Sequence, residues 1–221
     1  MDALIARDLR LAGADLSSWL PGLLFFVFFI MVSVIAIGPE ARILRDMAGG
    51  LIWLALLFSL ILKVSDLFQR DMMTGMTEQI FLSGQSKLQF VIAKAVSVFL
   101  IHLIPLLIII PIVGFVLGLE AQQGWAMTLS VLVAAPALIF YVLMTAAILS
   151  RQRTGGFIAV IMVLPFLIPI LIFGVAAAES ADSSSLYSVE IKALLGLNLI
   201  SMSVGIPAIV AALKANIHQV T

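Results

Sequence analysis

Two histidines, His102 and His218, are the whole imidazole inventory of this chain, and there is no cysteine. Without cysteine there is no disulfide, no thiolate metal site, no cysteine nucleophile and no Cys-x-x-Cys-His attachment of haem. No His-x-x-x-His pair supplies a zinc-peptidase helix, and no Gly-x-x-x-x-Gly-Lys-Ser/Thr loop supplies a cradle for ATP phosphates. Gly155 and Gly156, which follow Arg151 and Arg153, read as a short turn. Paired acids and Ser–His sites are missing from the apolar segments, so neither a catalytic centre nor a metal site is expected.

His102 is the one histidine inside an apolar segment. An ionisable residue there is a functional hypothesis by default, either as a ligand to haem iron or as the lining of a path. A neutral imidazole also hydrogen-bonds neighbouring helices, and a lone histidine favours that structural reading. Charge is otherwise nearly absent from the centres of the apolar segments, where ion-coupled carriers place their relays. A transporter built this way must take its energy from elsewhere, such as a partner ATPase.

The elements that position these residues follow from composition. The 221 residues are 63% hydrophobic and 11% charged, with formal net charge zero and mean hydropathy +1.23. A disordered chain is excluded, because it needs low hydrophobicity. A phosphate-contacting nucleic-acid binder is excluded, because it needs a basic surplus. A soluble domain cannot hide this much apolar surface. What remains is an all-α polytopic membrane protein, a single domain over 1–221.

Six stretches are long and apolar enough to span: 20–37, 49–68, 95–119, 125–149, 157–178 and 191–213. The purely apolar part of the second ends at Leu62, before Lys63 and Asp66. Its run being longer than a signal peptide's core, the first stretch is read as retained. Pro105, Pro111, Pro165 and Pro169 fall inside spans and are expected to bend or break their helices. Gly114 and Gly118 form a Gly-x-x-x-Gly pair suited to close helix packing, within or between subunits.

Orientation follows from the basic residues. With the N-terminus inside, the inner segments hold nine: Arg7, Arg10, Lys63, Arg70, Lys87, Lys94, Arg151, Arg153 and Lys214. The outer segments hold three: Arg42, Arg45 and Lys192. Both termini are therefore expected in the cytoplasm.

Residues 1–18 carry Met1, Leu4, Ile5, Leu9, Ala12 and Leu16 at helical spacing, with Arg7 and Arg10 opposite and Asp8 and Asp15 intruding at the edge. This predicts an amphipathic helix at the membrane interface. The longest polar stretch lies between the second and third spans. Met73, Met76 and Ile80 form a stripe there, predicting a short cytoplasmic helix over Thr74–Leu82. Such a helix docks into a partner's groove or packs back on the bundle, and composition favours packing back.

At this loop the sequence resembles a known family. Asp71-Met72-Met73-Thr74-Gly75-Met76-Thr77-Glu78-Gln79, with Ala93-Lys94, is similar to an acidic-x-x-x-Gly-x-x-Glu pattern between spans two and three of ABC-2-type permeases. Within that group the chain resembles the CcmB family of the cytochrome c maturation system. The stretches that carry the likeness are Ile37-Gly38-Pro39-Glu40, Gly50-Leu51-Ile52-Trp53 with Leu67-Phe68-Gln69-Arg70-Asp71, and Leu164–Phe173 around Pro165 and Pro169. They occur in the expected order and spacing, and the likeness runs end to end. Gly84 stands where family members often carry proline after the loop helix, and His102 matches no family motif.

The resemblance implies a permease subunit, present as two copies, for haem export or delivery in c-type cytochrome biogenesis. ATP hydrolysis would take place on a separate ATP-binding subunit. A haem-handling membrane subunit, a small single-span subunit and a periplasmic haem chaperone would be the other partners. Haem would be cargo, with no cofactor bound covalently. On this reading Asp71, Gly75, Met76, Glu78 and Ile80 couple the chain to the ATP-binding partner. The implied location is a bacterial inner membrane, or a mitochondrial one for an organelle-encoded chain. The competing readings are an ABC-2-type permease for another substrate, and a scaffold that releases a haem-loaded chaperone mechanically.

Overall fold

The computed structural model describes residues 2–14, 19–38, 40–64, 66–84, 86–150, 155–180 and 189–218. Arg151, Arg153 and Ser183 lie outside the described residues. The described residues are helical, with no strand among them. The helices are α1 (Asp2–Ala14), α2 (Leu20–Ile37), α3 (Ala41–Ile61), α4 (Asp66–Met73), α5 (Met76–Leu82), α6 (Lys87–Val98), α7 (Ile104–Val116), α8 (Ala121–Ile148), α9 (Gly155–Glu179) and α10 (Val189–His218). A π turn over Phe99–Leu103 joins α6 to α7 in one continuous element. Six of these elements are long and apolar enough to cross a membrane, and the protein is a multi-pass membrane protein.

Two helices form the centre. The most apolar stretch of α3 is 67% buried and that of α8 72%, against 17–33% for the other four. α3 buries Ile52, Trp53, Ala55 and Leu56 completely, and α8 buries Val131, Ala134, Leu138 and Leu143. The two are closed off by α9, whose Gly174 lies under the Trp53 indole: a Cβ built there would run into the ring. Peripheral α2 leaves Leu24, Phe28, Met31 and Ile35 exposed, as a helix facing lipid or another subunit must.

Several sequence expectations are corrected. The second apolar stretch does not run on to Phe68. α3 begins at Ala41, ends at Ile61, and is followed by a turn over Leu62–Val64 before α4 starts. Arg42, Arg45 and Asp46 belong to the helix because its end reaches the polar surface. Arg45 there donates from Nε to the Gly118 carbonyl at 2.7 Å.

Of the bend or break expected at Pro165 and Pro169, there is no break: α9 runs on through both. Proline removes its own N–H and displaces the carbonyl four residues before it. Here the donor missing at Pro169 is the one that would serve Pro165, so the losses fall on one line of the helix. Pro111 likewise lies inside an unbroken α7. Only Pro105 sits beside a departure from α geometry: the π turn includes Ile101, whose carbonyl the Pro105 ring would otherwise strike.

The Gly-x-x-x-Gly pair divides its roles. Gly118, at φ +83, terminates α7 in a left-handed cap, with Leu119 N bonded to Gly114 O at 2.9 Å and Gly118 N to Phe115 O at 3.0 Å. Gly114 makes the close approach, its built Cβ lying 3.5 Å from Gly124 Cα of α8 in the same chain.

The α8–α10 seam is pinned twice by side-chain amides. Asn198 of α10 accepts from Ala137 N at 2.8 Å and donates to Val133 O at 2.7 Å. Both backbone groups belong to the turn of α8 that contains Pro136, which has no N–H of its own to give. Asn216 donates to Ala147 O and to Ser150 Oγ, both at 2.9 Å, and so caps the end of α8.

Candidate functional site

The N-terminal helix brings charge to the bundle instead of turning it away. Leu4, Arg7, Asp8, Leu11 and Ala12 recur at intervals of three and four, so they share one face of α1. Leu4 packs against the core and Ala12 is buried, while Leu11 at the edge of this face and Leu9 on another are 39% and 40% exposed. The sequence pattern had set Arg7 on the solvated side and treated Asp8 as an intruder. Both point inward because partners wait there.

Those partners are Asp71 of α4 and Lys94 of α6. Arg7 Nη2 lies 2.6 Å from Asp8 Oδ1 and 2.8 Å from Asp71 Oδ1. Lys94 Nζ lies 2.7 Å from Asp71 Oδ2 and 3.4 Å from Asp8 Oδ2. The four groups form a ring of alternating sign. Asp71 is 3% exposed, and both of its oxygens are engaged. Burial draws the Arg7 guanidinium down, but the carboxylates of Asp8 and Asp71 outweigh it and hold Arg7 above its ordinary range. Lys94 also stands over the Phe68 ring, 5.7 Å from its centre.

The ring forms part of the wall of a cavity of about 550 Å³, which also has Leu11, Ser97, Ile101 and His102 in its lining. The volume is within the range of small-molecule sites, about 300–1,000 Å³. Lys94, Ser97, Ile101 and His102 lie along one face of the α6–π-turn element. Eight residues separate Lys94 from His102, roughly 12 Å of helix rise. The cavity therefore passes from the ionic ring toward the half-buried imidazole in the π turn. Among the described residues no cluster of His, Asp and Glu could hold a metal ion.

The loop between α3 and α6 is built on Gly75. Its φ of +69 is a left-handed value that glycine adopts without cost. Gly75 N bonds Met72 O and so closes α4, while Gly75 O receives Gln79 N and so opens α5. Seven residues of helix, Met76–Leu82, replace the expected Thr74–Leu82 because α4 already occupies the chain up to Met73.

Of the residues expected to meet an ATP-binding partner, the structure turns several inward. Asp71 is spent in the ring. Ile80 is 6% exposed and belongs to the core, with Met76 packed against it. Gly75 is half-buried, and Glu78 faces out. The exposed apolar side chains of the loop are instead Met73, at 69%, and Leu82, at 76%. Sequence reasoning missed Arg7, Asp8 and Lys94 as site residues. Two signals were available: an acid interrupting an amphipathic stripe, and a lysine inside the otherwise apolar run from Phe90 to Val96.

Comparison with known proteins places these features in a family context. A family model described as "CcmB protein" matches residues 1–216. Heme exporter protein B of Haemophilus influenzae is 32% identical over 216 residues, covering 98% of this chain and 98% of that protein. The Bradyrhizobium diazoefficiens protein of the same name is 31% identical over 215 residues, covering 97% of each. That of Escherichia coli K12 is 34% identical over 175 residues, covering 79% of this chain and 80% of its own length.

Proposed function

The chain belongs to the CcmB protein family, and on that premise we propose that it is the membrane permease subunit of an ABC-type complex that exports or delivers haem for c-type cytochrome biogenesis. The observation that carries this reading is the likeness to proteins named heme exporter protein B over nearly the whole of both chains. Six apolar helices, with the ion pairs of Asp71 and Lys94 closed within one ring, fit a permease whose energy comes from outside. ATP hydrolysis belongs to a separate subunit, because no phosphate-binding loop is present in the sequence.

The same reading sets the orientation and the contacts. The excess of basic residues in the inner segments supports cytoplasmic termini, and the bacterial sources of the relatives support a bacterial inner membrane. Glu78, Met73 and Leu82 form the surface for the ATP-binding subunit, and Gly75 sets the angle between α4 and α5. A haem-handling membrane subunit, a single-span subunit and a periplasmic haem chaperone complete the assembly. Two copies of this chain pair through exposed apolar helix faces.

Haem is cargo in this reading, and the test is its movement. Proteoliposomes holding the purified complex are loaded with ATP on the loop side, and haem is measured on the other side. ATP-driven haem flux, with loss of haem-staining c-type cytochromes on deletion of the chain, is the expected pair of results. ATP-dependent cytochrome maturation without flux would replace export by mechanical release of a loaded chaperone.

A further inference from the structure

We propose that Arg7, Asp8, Asp71 and Lys94 are positioning residues: their ring links the partner-facing loop to α1 and α6, and governs access to the cavity that reaches His102. The inference rests on the reading that ATP is hydrolysed on a subunit bound at the loop.

Three separate elements meet in the ring, and each contributes something different. α1 brings two opposite charges, α4 brings Asp71, and α6 brings Lys94. Asp71 lies four residues before Gly75, so any tilt of α5 against a partner is delivered to it through one turn of α4. Arg7 and Lys94 hold one Asp71 oxygen each, so displacement of Asp71 pulls on α1 and α6 together.

The four charges sum to zero. The ring therefore directs its charge at its own chain, while Lys63, Asp66 and Arg70 are the further charged residues of the cavity wall. It is also only half sealed: the Arg7 side chain is 30% exposed and that of Asp71 5%. Water can replace the Arg7 contact when α1 shifts, which keeps opening affordable for a buried ionic site. Within the same cavity wall, the π turn at Phe99–Leu103 departs from α hydrogen bonding beside His102. Such turns inside α-helices are frequent at functional sites. A clasp at one end and a yielding turn further along the same wall suit a cavity that opens and closes.

The absence of cysteine from the chain makes the test clean. Ile101→Cys places one thiol in the cavity wall, and its modification by a polar thiol reagent reads access in the assembled complex. With the ring intact, labelling should be slow without nucleotide and faster with ATP bound. Asp71→Asn should raise the nucleotide-free rate about tenfold or more and abolish the response to ATP. Should that variant fail to accumulate, Arg7→Gln removes the same contact from the α1 side and carries the same expectation.

A charge exchange provides the second arm. Arg7→Asp combined with Asp71→Arg keeps the 7–71 and 8–94 attractions but makes 7–8 and 71–94 repulsive. The rate should therefore return part of the way toward that of the intact ring. Labelling that ignores Asp71→Asn, or that still responds to ATP in it, overturns the proposal, as does an exchange no better than either single change. The labelling rate is blind to cargo. Normal gating without haem flux would defeat the export reading alone, and flux with insensitive labelling would defeat the ring alone.

Discussion

The α8–α10 seam and the α1–α4–α6 ring hold helices together by opposite means. The seam uses neutral amides on backbone groups: Asn198 on Ala137 and Val133, Asn216 on Ala147. The ring uses four ionised side chains and no backbone partner among its four ion pairs. Inside a bilayer an amide such as Asn198 that leaves its partners meets hydrocarbon, so the middle of the seam has nowhere to go. At the bundle's polar end a charge that leaves its partner meets water, so the ring can exchange partners. The comparison assigns rigidity to one half of the molecule and movement to the other.

The rigid half should break first and hardest. Gly174→Ala puts a methyl where the Trp53 ring already stands, and the cost should reach the upper end of about 1–3 kcal/mol for overpacking. The expected result is a lowered melting temperature in detergent and reduced membrane abundance. Wild-type behaviour would mean that α9 is not seated on α3 as described.

Asn198→Leu should come next. It leaves Ala137 N and Val133 O without their side-chain partner, at about 1–3 kcal/mol for buried unsatisfied groups. Thermal unfolding in detergent measures it, and a neutral outcome would show that the turn at Pro136 closes without help.

Glu78→Lys probes the other half and should leave this chain's own stability nearly unchanged, because Glu78 faces out. Retention of the ATP-binding subunit on the purified complex should fall sharply, with span insertion intact. Unchanged retention together with normal cytochrome content would move the partner surface away from α5.

The smallest effect belongs to Gly75. No atom lies within 4 Å of a Cβ built there, so Gly75→Ala is opposed only by its left-handed backbone, at about 1 kcal/mol. Gly75→Asn, which tolerates that conformation better, should recover part of the lost activity.

Much of the rigid half was legible in the sequence, because long apolar runs declare themselves by length alone. The turn over Leu62–Val64 was not, since Leu, Lys and Val carry none of the glycine or proline signals of a turn. The start of α3 was hidden by Arg42, Arg45 and Asp46, which resemble a loop until the helix end is seen at the surface. Gly75 was only half legible: the sequence put it inside one helix over Thr74–Leu82, and its positive φ makes it the break between α4 and α5. The ring was not legible, because Arg7 and Asp71 are 64 positions apart and Asp8 and Lys94 are 86 apart. Local periodicity reports which face a residue occupies, and only tertiary structure reports what that face meets. Asn198 escaped for the same reason, as one polar residue in a span whose partners lie on another helix.

The most direct test of this division is a pair of distances. Spin labels at Leu9 of α1 and Leu199 of α10 report the ring against the seam, and labels at Leu129 of α8 and Leu199 report the seam itself. All three positions are exposed, and the chain has no cysteine to compete for the label. In the complex with its ATP-binding subunit, ATP should shift the α1–α10 distance by several ångströms and leave α8–α10 within about 1 Å, below the scale of ordinary helix shifts. A fixed α1–α10 distance, or an α8–α10 distance that moves with it, would contradict the account.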